Sequence, residues 1–168
     1  MHILELKYIE YDENMSPRDK REREHNVAYA LLEDMLRRYF DITKPTILKN
    51  ENGKPYVENE GVHFSISHTD GLAACVAADT PVGVDCEKIA AKSDVDIQKF
   101  ANRFFVENEV ELLRAGGFNS TDFYRLWTGK EAVIKKRGSN MSDLKNIDVT
   151  QENLLVSLEN GYIISINI

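Results

Sequence analysis

The strand that organises this chain reads Gly83-Val84-Asp85-Cys86-Glu87 and follows the break Asp79-Thr80-Pro81. Asp85 and Glu87 lie two residues apart, so a strand directs both carboxylates to one face and Cys86 to the other. Two like charges on one face repel each other, and a bound cation would relieve that repulsion. The alternative is an exposed edge-strand pair that only solvates a sheet. The pattern therefore marks a candidate cation site.

A second stretch, Trp127-Thr128-Gly129-Lys130-Glu131-Ala132, is followed by Lys135. Glu131 and Lys135 lie four residues apart in a helix-like run, so they share one helix face. An ordinary salt bridge between them is the simplest alternative. If this helix meets the acidic strand, three carboxylates converge beside an ammonium. That arrangement suits a hard divalent cation and a phosphate-bearing substrate.

Around these two stretches, hydrophobic periodicity predicts an α+β fold with segregated antiparallel sheets. Helices are predicted for residues 19–40, where Ser16-Pro17 forms the start signal, and for residues 95–136, with an interruption near Gly116-Gly117. The predicted strands are residues 2–11, 46–49, 54–57, 62–67, 72–78, 82–87, 147–149, 154–158 and 162–168.

The composition excludes several classes of protein. A formal net charge of −7 argues against nonspecific binding to nucleic acid. Cys75 and Cys86 lie in apolar surroundings and indicate small buried residues rather than a disulfide framework, which is consistent with a reducing cytosol. With no signal peptide and no apolar run long enough to span a membrane, we expect a cytoplasmic protein without a membrane partner.

Five segments, in order, resemble the motifs of the 4'-phosphopantetheinyl transferase superfamily, of its two-half, surfactin-synthetase-activating type. Three of them lie outside the stretches quoted above: G-K-P within Asn52–Tyr56, F-x-x-S-H at Phe64–His68, and R-F-F-x-x-x-E at Arg103–Glu109. One such motif is weak evidence, because a D-x-E arises readily by chance in a chain with 28 acidic residues. The ordered set is far more specific, and it covers about half of the chain.

The resemblance implies a fold and an activity. The fold would be one domain over residues 1–168, built of two similar α+β halves at about 1–80 and 81–168, with the active site between them and a shortened C-terminal half. The enzyme would be a holo-[acyl-carrier-protein] synthase. It would transfer 4'-phosphopantetheine from coenzyme A to a serine of an apo acyl or peptidyl carrier protein with Mg²⁺, and release adenosine 3',5'-bisphosphate. Such enzymes serve fatty acid or secondary metabolite biosynthesis, and we expect a monomer.

The resemblance also assigns roles to residues. Asp85, Glu87 and Glu131 would hold the metal, Glu131 would orient or deprotonate the serine hydroxyl, and Lys135 would contact the pyrophosphate and assist the leaving group. Trp127 is expected to support the helix by core packing. The residues assigned to coenzyme A are Lys20, Arg23, Lys54, Pro55, Ser67, His68 and Lys135. His2, His25 and His63 are interpreted as structural.

The chain departs from the family pattern on its first long helix. An arginine that helps to hold the 3'-phosphate has no counterpart there, and Tyr29 stands at the aligned position. Binding of the 3'-phosphate is then expected to depend on Lys20, Arg23 and His68. Two other functions stay open at this point: a Mg²⁺-dependent phosphohydrolase with the same carboxylates, and a catalytically impaired module that binds a carrier protein or coenzyme A.

Overall fold

The computed structural model describes residues 1–58 and 61–168, and its α+β architecture confirms the predicted fold class. The strands are β1 His2–Tyr8, β2 Ile47–Lys49, β3 Pro55–Val57, β4 His63–Thr69, β5 Leu72–Ala78, β6 Gly83–Lys88, β7 Leu154–Glu159 and β8 Tyr162–Asn167. The α-helices are α1 Pro17–Phe40, α2 Asp94–Phe104, α3 Glu107–Ala115 and α4 Ser120–Arg137. Two short 3₁₀ helices, Met141–Asn146 and Val149–Gln151, connect α4 to β7.

Helix α1 begins where the sequence predicted its cap. The Ser16 hydroxyl accepts the Asp19 backbone N–H at 3.2 Å, and Pro17 occupies the first turn, where its missing N–H has no helical partner to lose. The helix ends at Asp41, whose left-handed backbone (φ 57°) lets its N–H reach the carbonyl of Leu36. These caps satisfy backbone groups that the ends of the helix would otherwise leave unpaired.

The first sheet has the strand order β1-β5-β4 and is antiparallel throughout. Its central strand, β5, is buried along its whole length because both faces are covered. One face packs against Leu32, Met35 and Leu36 of α1. The other face packs against apolar side chains of β6 and β8. The small residues of β5 allow this close approach on both sides.

The second sheet has the order β6-β8-β7, with Asp85 of β6 opposite Ser165 of β8. Val84 and Cys86 point into the core shared with the first sheet, so the intervening acidic residues take the opposite face. Helix α4 packs across β6 and β8. The predicted burial of both cysteines is confirmed, and both are free thiols.

Strands β4 and β6 meet at a seam made by side chains. The Ser65 hydroxyl accepts the Val84 N–H at 3.0 Å, and the Ser67 hydroxyl accepts the Cys86 N–H at 3.3 Å. These serines satisfy N–H groups that the edge strand β6 would otherwise leave unpaired. The seam therefore holds the F-S-I-S-H and G-V-D-C-E segments in fixed register.

The strand predicted for residues 147–149 was wrong. Ile147 and Val149 are buried, but they lie between and within the two 3₁₀ helices. The Ile147 carbonyl accepts from Lys130 Nζ at 2.5 Å, and the Val149 N–H donates to Glu109 Oε1 at 2.9 Å. A buried ion pair thus takes the backbone groups that a strand ladder would have used.

Within the described ranges 1–58 and 61–168, none of the helices combines the length and apolar character needed to cross a membrane. The longest, α1, carries charged residues along its exposed side.

Candidate functional site

Asp85 lies where α4 crosses the seam between β4 and β6. The residue is buried, with 6% of its surface exposed. One oxygen, Oδ1, accepts from Ser67 Oγ at 2.8 Å and from Lys135 Nζ at 2.8 Å. The other, Oδ2, is buried without a hydrogen-bond partner among the described residues. A buried carboxylate oxygen without a donor is costly, so this atom is poised to accept a ligand.

Lys135 takes Asp85 as its partner rather than Glu131. Its ammonium lies 2.8 Å from Asp85 and also donates to Ser67 Oγ at 3.0 Å. Burial lowers the pKa of Lys135, but the neighbouring carboxylates of Asp85 and Glu131 outweigh it and raise the pKa overall. Lys135 is therefore a fixed positive charge beside the acidic strand, not a surface partner of its own helix.

The other two candidate carboxylates are poorly compensated. Burial, together with the charges of Asp85 and Glu87, raises the pKa of Glu131 to about 7. Burial and Asp85 also raise the pKa of Glu87, although the Thr69 hydroxyl donates to it at 3.2 Å. Both pKa values are raised by burial, and further because the acidic side chains repel one another and the nearby positive charge does not offset that repulsion.

These residues suit a hard divalent cation by their chemistry. Mg²⁺ prefers oxygen ligands, and Asp85 Oδ2, which has no hydrogen-bond partner among the described residues, is an oxygen of this kind. Within residues 1–58 and 61–168, however, no three His, Cys, Asp or Glu side chains are gathered closely enough to form a ready-made metal cluster. The positive charge next to Asp85 is supplied by the Lys135 ammonium, 2.8 Å away.

A cavity of about 340 Å³ opens onto this charged group. It lies between the α1 side of the first sheet and helix α4. The residues that line it are His25, Tyr29, Lys49, Gly53, Pro55, Ile66, Ser67, His68, Asp85, Cys86, Glu87, Trp127, Glu131 and Lys135.

Two further cavities adjoin the first. One of about 220 Å³ shares Gly53, Pro55, Ile66 and Lys135 with it, and the surface that lines it is mostly apolar although polar side chains contribute to it. The other, of about 330 Å³, shares Glu87 and Trp127 and is lined by aromatic side chains of α2 and α4. The cavity that holds the charged group therefore adjoins two further compartments with different linings.

The structure gathers most, but not all, of the predicted cofactor residues. Pro55, Ser67 and His68 line the main cavity, and Lys54 lines the adjoining apolar one, where its ammonium donates to the Lys136 carbonyl at 3.1 Å. Burial lowers the pKa of Lys54.

Lys20 and Arg23 are not among the residues that line these cavities. The Lys20 ammonium lies 4.9 Å from the centre of the Tyr11 ring, and an Arg23 guanidinium nitrogen lies 3.8 Å from an Asp12 carboxylate oxygen. Both residues therefore have partners near the start of α1. Their assignment to the 3'-phosphate stays a prediction.

Three residues of the main cavity wall had no binding role assigned from the sequence: His25, Lys49 and Tyr29, which stands where the family pattern has an arginine. His25 was interpreted as structural, yet its ring makes a tilted contact with Tyr29 at a centroid distance of 4.6 Å and meets His68 edge-on at 6.1 Å. The spacing of His25 and Tyr29, four residues apart on a helix, was the available signal. This spacing alone did not show which element the two side chains face, and the structure places His68 of β4 against His25.

Trp127 packs helix α4 against helix α2. Its indole packs edge-on against Phe100 of α2 at a centroid distance of 5.1 Å. It also forms the wall between the main cavity and the aromatic one. The structure thus agrees with the supporting role expected from the sequence and adds contact with both compartments.

Gly83 allows β6 to approach α4 closely enough to build the site. A Cβ atom at this position would lie 1.9 Å from the Ala132 carbonyl oxygen and 2.5 Å from the Lys136 nitrogen. Both are backbone atoms, so the helix itself would have to move. We expect Gly83→Ala to lower the free energy of unfolding by about 1–3 kcal/mol.

The same change should impair function, since α4 carries Glu131 and Lys135. Chemical denaturation and activity measurements on Gly83→Ala would check this expectation. Gly61→Ala is the reference for a glycine substitution without a close contact, because a Cβ there meets no atom within 4 Å and its cost comes only from the backbone strain of an alanine at φ +86°. A Gly83→Ala protein as stable and active as the wild type would contradict the close packing.

Comparison with known proteins connects this geometry to a family. The sequence model of the 4'-phosphopantetheinyl transferase superfamily matches residues 81–160, which include the acidic strand and helix α4. The chain is 45% identical over 95 residues to the 4'-phosphopantetheinyl transferase gsp of Aneurinibacillus migulanus, and this alignment covers 55% of the chain and 38% of that protein.

Other relatives give a similar result. Identity is 35% over 104 residues to the 4'-phosphopantetheinyl transferase HetI of Nostoc sp., which covers 58% of this chain and 43% of that protein. It is 33% over 118 residues to the 4'-phosphopantetheinyl transferase Sfp of Bacillus subtilis, which covers 67% of this chain and 51% of that protein. The chain therefore spans about half the length, or less, of the curated relatives it matches.

Proposed function

Because this chain is a member of the 4'-phosphopantetheinyl transferase superfamily, we propose that it transfers 4'-phosphopantetheine from coenzyme A to a serine of an apo carrier protein. The other product would be adenosine 3',5'-bisphosphate. The observation that supports this most directly is the pairing of Asp85 with Lys135 beside Glu87 and Glu131, on the wall of the main cavity.

In this proposal the adenosine end of coenzyme A occupies the main cavity and its apolar neighbour. Pro55 and Lys54 lie at the adenine, and Ser67 and His68 lie at the ribose phosphate. Lys49, which the sequence did not single out, lines the same cavity and supplies a further positive charge. This charge offsets part of the loss of the family's helix arginine.

The pantetheine end extends toward the aromatic cavity. Phe100, Phe123, Tyr124 and Trp127 give that compartment an apolar wall, which suits an uncharged flexible arm. The carrier serine would approach from this side, near Glu87. Exposed Leu112 lies in a shallow pocket with Leu126, Arg125 and Asp122, where Arg125 could pair with an acidic carrier.

The chemistry is a displacement at phosphorus. The serine oxygen forms a bond to the phosphorus that bears pantetheine, and the bond from that phosphorus to the bridging oxygen breaks. Glu131 accepts the hydroxyl proton, directly or through water. Lys135 neutralises the charge that develops on the departing phosphate.

Mg²⁺ would be held by Asp85, Glu87 and Glu131, where it would neutralise the pyrophosphate charge. This assignment rests on the unpartnered buried oxygen of Asp85 and on the raised pKa of the other two acids.

The deciding experiment is mass spectrometry of an apo carrier protein incubated with this protein, coenzyme A and Mg²⁺. A mass increment of one phosphopantetheine on the carrier serine is expected. Release of free phosphopantetheine without modification of the carrier would identify a phosphohydrolase instead. Binding of coenzyme A or carrier with no reaction would identify a binding module.

Lys135→Ala is expected to lower kcat and kcat/KM together by roughly a hundredfold, because its charge acts mainly on the departing phosphate. Lys135→Arg should recover only part of the rate, since a planar guanidinium does not reproduce the compact ammonium. Steady-state kinetics with a defined carrier would measure both. Wild-type kcat in the Ala variant would exclude the catalytic role, and Lys136→Ala on the same helix is the control.

A further inference from the structure

Glu24 is a buried carboxylate that the mechanism does not use. It is 6% exposed on α1, on the face that otherwise buries Ala28, Leu32 and Met35. A carboxylate on an apolar helix face is costly unless partners satisfy it. Within residues 1–58 and 61–168, its one ion-pair partner is the imidazole of His68, with Nδ1 3.3 Å from Oε2.

Tyr11 holds the other oxygen of this carboxylate. The Tyr11 hydroxyl accepts the Gly71 backbone N–H at 2.7 Å, so its own proton is directed to Glu24 Oε1, with which it forms a short hydrogen bond. Burial and the carboxylate of Glu24 raise the pKa of Tyr11, so the hydroxyl keeps this proton. Glu24 is therefore fixed from one side by Tyr11, and only Oε2 is left for His68.

This arrangement decides which nitrogen of His68 faces the cavity. Glu24 is an acceptor, so Nδ1 carries the proton in the contact, and Nε2 is the nitrogen left for a ligand. A proton taken up at Nε2 makes the ring a charged donor. Its positive charge then lies between the carboxylate on one side and a ligand phosphate on the other.

We propose that Glu24, held by Tyr11, is a positioning residue that sets the tautomer and orientation of His68 for a phosphate group of the nucleotide ligand. The proposal rests on the proposed function, which supplies that phosphate as the 3'-phosphate of coenzyme A. The expected effect of the Glu24 charge on phosphate binding is opposite to that of simple repulsion. A negative charge near an anion site should weaken binding, yet here it strengthens binding through the histidine.

Glu24→Gln separates the two effects. Tyr11 donates to the carbonyl oxygen of the new amide, so the amide NH₂ faces His68 Nδ1, which must then give up its proton. Coenzyme A should bind on the order of tenfold more weakly, the loss expected for a charge-assisted hydrogen bond. Affinity for dephospho-coenzyme A should change little. If Glu24 only repelled phosphate, the variant would bind coenzyme A more tightly.

Controls separate positioning from folding. Glu33→Gln removes the same charge from an exposed site on α1 and should leave both affinities unchanged. In a His68→Gln background, Glu24→Gln should have no further effect on binding of coenzyme A. An equal effect in both backgrounds, or equal losses for both ligands, would show that Glu24 acts only through stability and would overturn the proposal.

Nitrogen-15 NMR of the histidines in the ligand-free protein tests the same claim without any reaction. The wild-type His68 should carry its proton at Nδ1, and Glu24→Gln should move it to Nε2. Tyr11→Phe, which leaves the carboxylate in place, should give a smaller change. A wild-type His68 protonated only at Nε2 would overturn the proposal, whether or not transfer to a carrier is observed. Failure of transfer with these shifts intact would count against the proposed function alone.

Discussion

Asp85→Asn is expected to lower the rate of phosphopantetheine transfer on the order of a thousandfold. Asp85 has the one buried carboxylate oxygen in the described part of the site that lacks a donor, and it also holds the Lys135 ammonium at 2.8 Å. The amide keeps the shape of the side chain but loses the charge on which both the cation and the lysine depend. Single-turnover kinetics with saturating coenzyme A and Mg²⁺ would measure the loss.

Glu131→Gln is the informative partner of this variant. It should also lose most activity, but the two substitutions should change stability in opposite directions. Asp85→Asn weakens the buried pair with Lys135 and should lower the free energy of unfolding at pH 8. Because the folded protein raises the pKa of Glu131 to about 7, above its ordinary value, the ionised Glu131 is destabilising at that pH. Removing its charge should raise the free energy of unfolding.

Chemical denaturation of both variants checks this opposition. Asp94→Asn, an exposed acidic residue on α2, is the control for a simple change of net charge. Equal stability changes in the two site variants would contradict the charge arrangement described here. Near-normal transfer rates in both would rule out the carboxylate cluster as the catalytic centre.

Lys130→Met is expected to lower the free energy of unfolding by about 3–5 kcal/mol, the largest stability effect that the structure predicts. Lys130 and Glu109 are both fully buried, and their charged atoms lie 2.7 Å apart. Lys130 also donates to the Leu144 carbonyl at 2.8 Å. Removing it leaves a carboxylate without a cation in the core and frees backbone carbonyls of the connection to β7.

A second substitution distinguishes an unpaired charge from lost packing. In Lys130→Met with Glu109→Gln, no charge is left unpaired in the core, but the single amide oxygen can accept only one of the two backbone N–H groups, from Val106 and Val149, that donate to Glu109. We expect the double variant to recover part of the lost stability, measured by denaturant unfolding with Lys99→Met on α2 as the exposed control. If the double variant is less stable than Lys130→Met by the full effect of a second core defect, the charge argument is wrong.

Much of the fold could be predicted from local pattern. The alternation of β6 places Asp85 and Glu87 on one face, and the four-residue spacing of Glu131 and Lys135 places them on one side of α4. The cap at Ser16 and the burial of both cysteines were likewise readable, because each depends on neighbours within a few positions. The ordered motifs carried the family resemblance for the same reason.

The partners of the key side chains were not readable, since each contact joins distant parts of the chain. Lys135 pairs with Asp85, 50 positions away, rather than with Glu131 on its own helix. In this position its ammonium also donates to the Ser67 hydroxyl at the seam between β4 and β6. The Glu24 and His68 pair spans 44 positions and gave no periodic signal.

The predicted strand at residues 147–149 failed for a related reason. Its apolar residues are buried as their pattern suggested, but their backbone groups bind Lys130 and Glu109 rather than a neighbouring strand. Hydrophobic periodicity determines which side chains leave water, and it does so from sequence alone. Which polar groups then meet in the interior is decided only when α3, α4 and the sheets pack together, because every buried donor and charge must find a partner there.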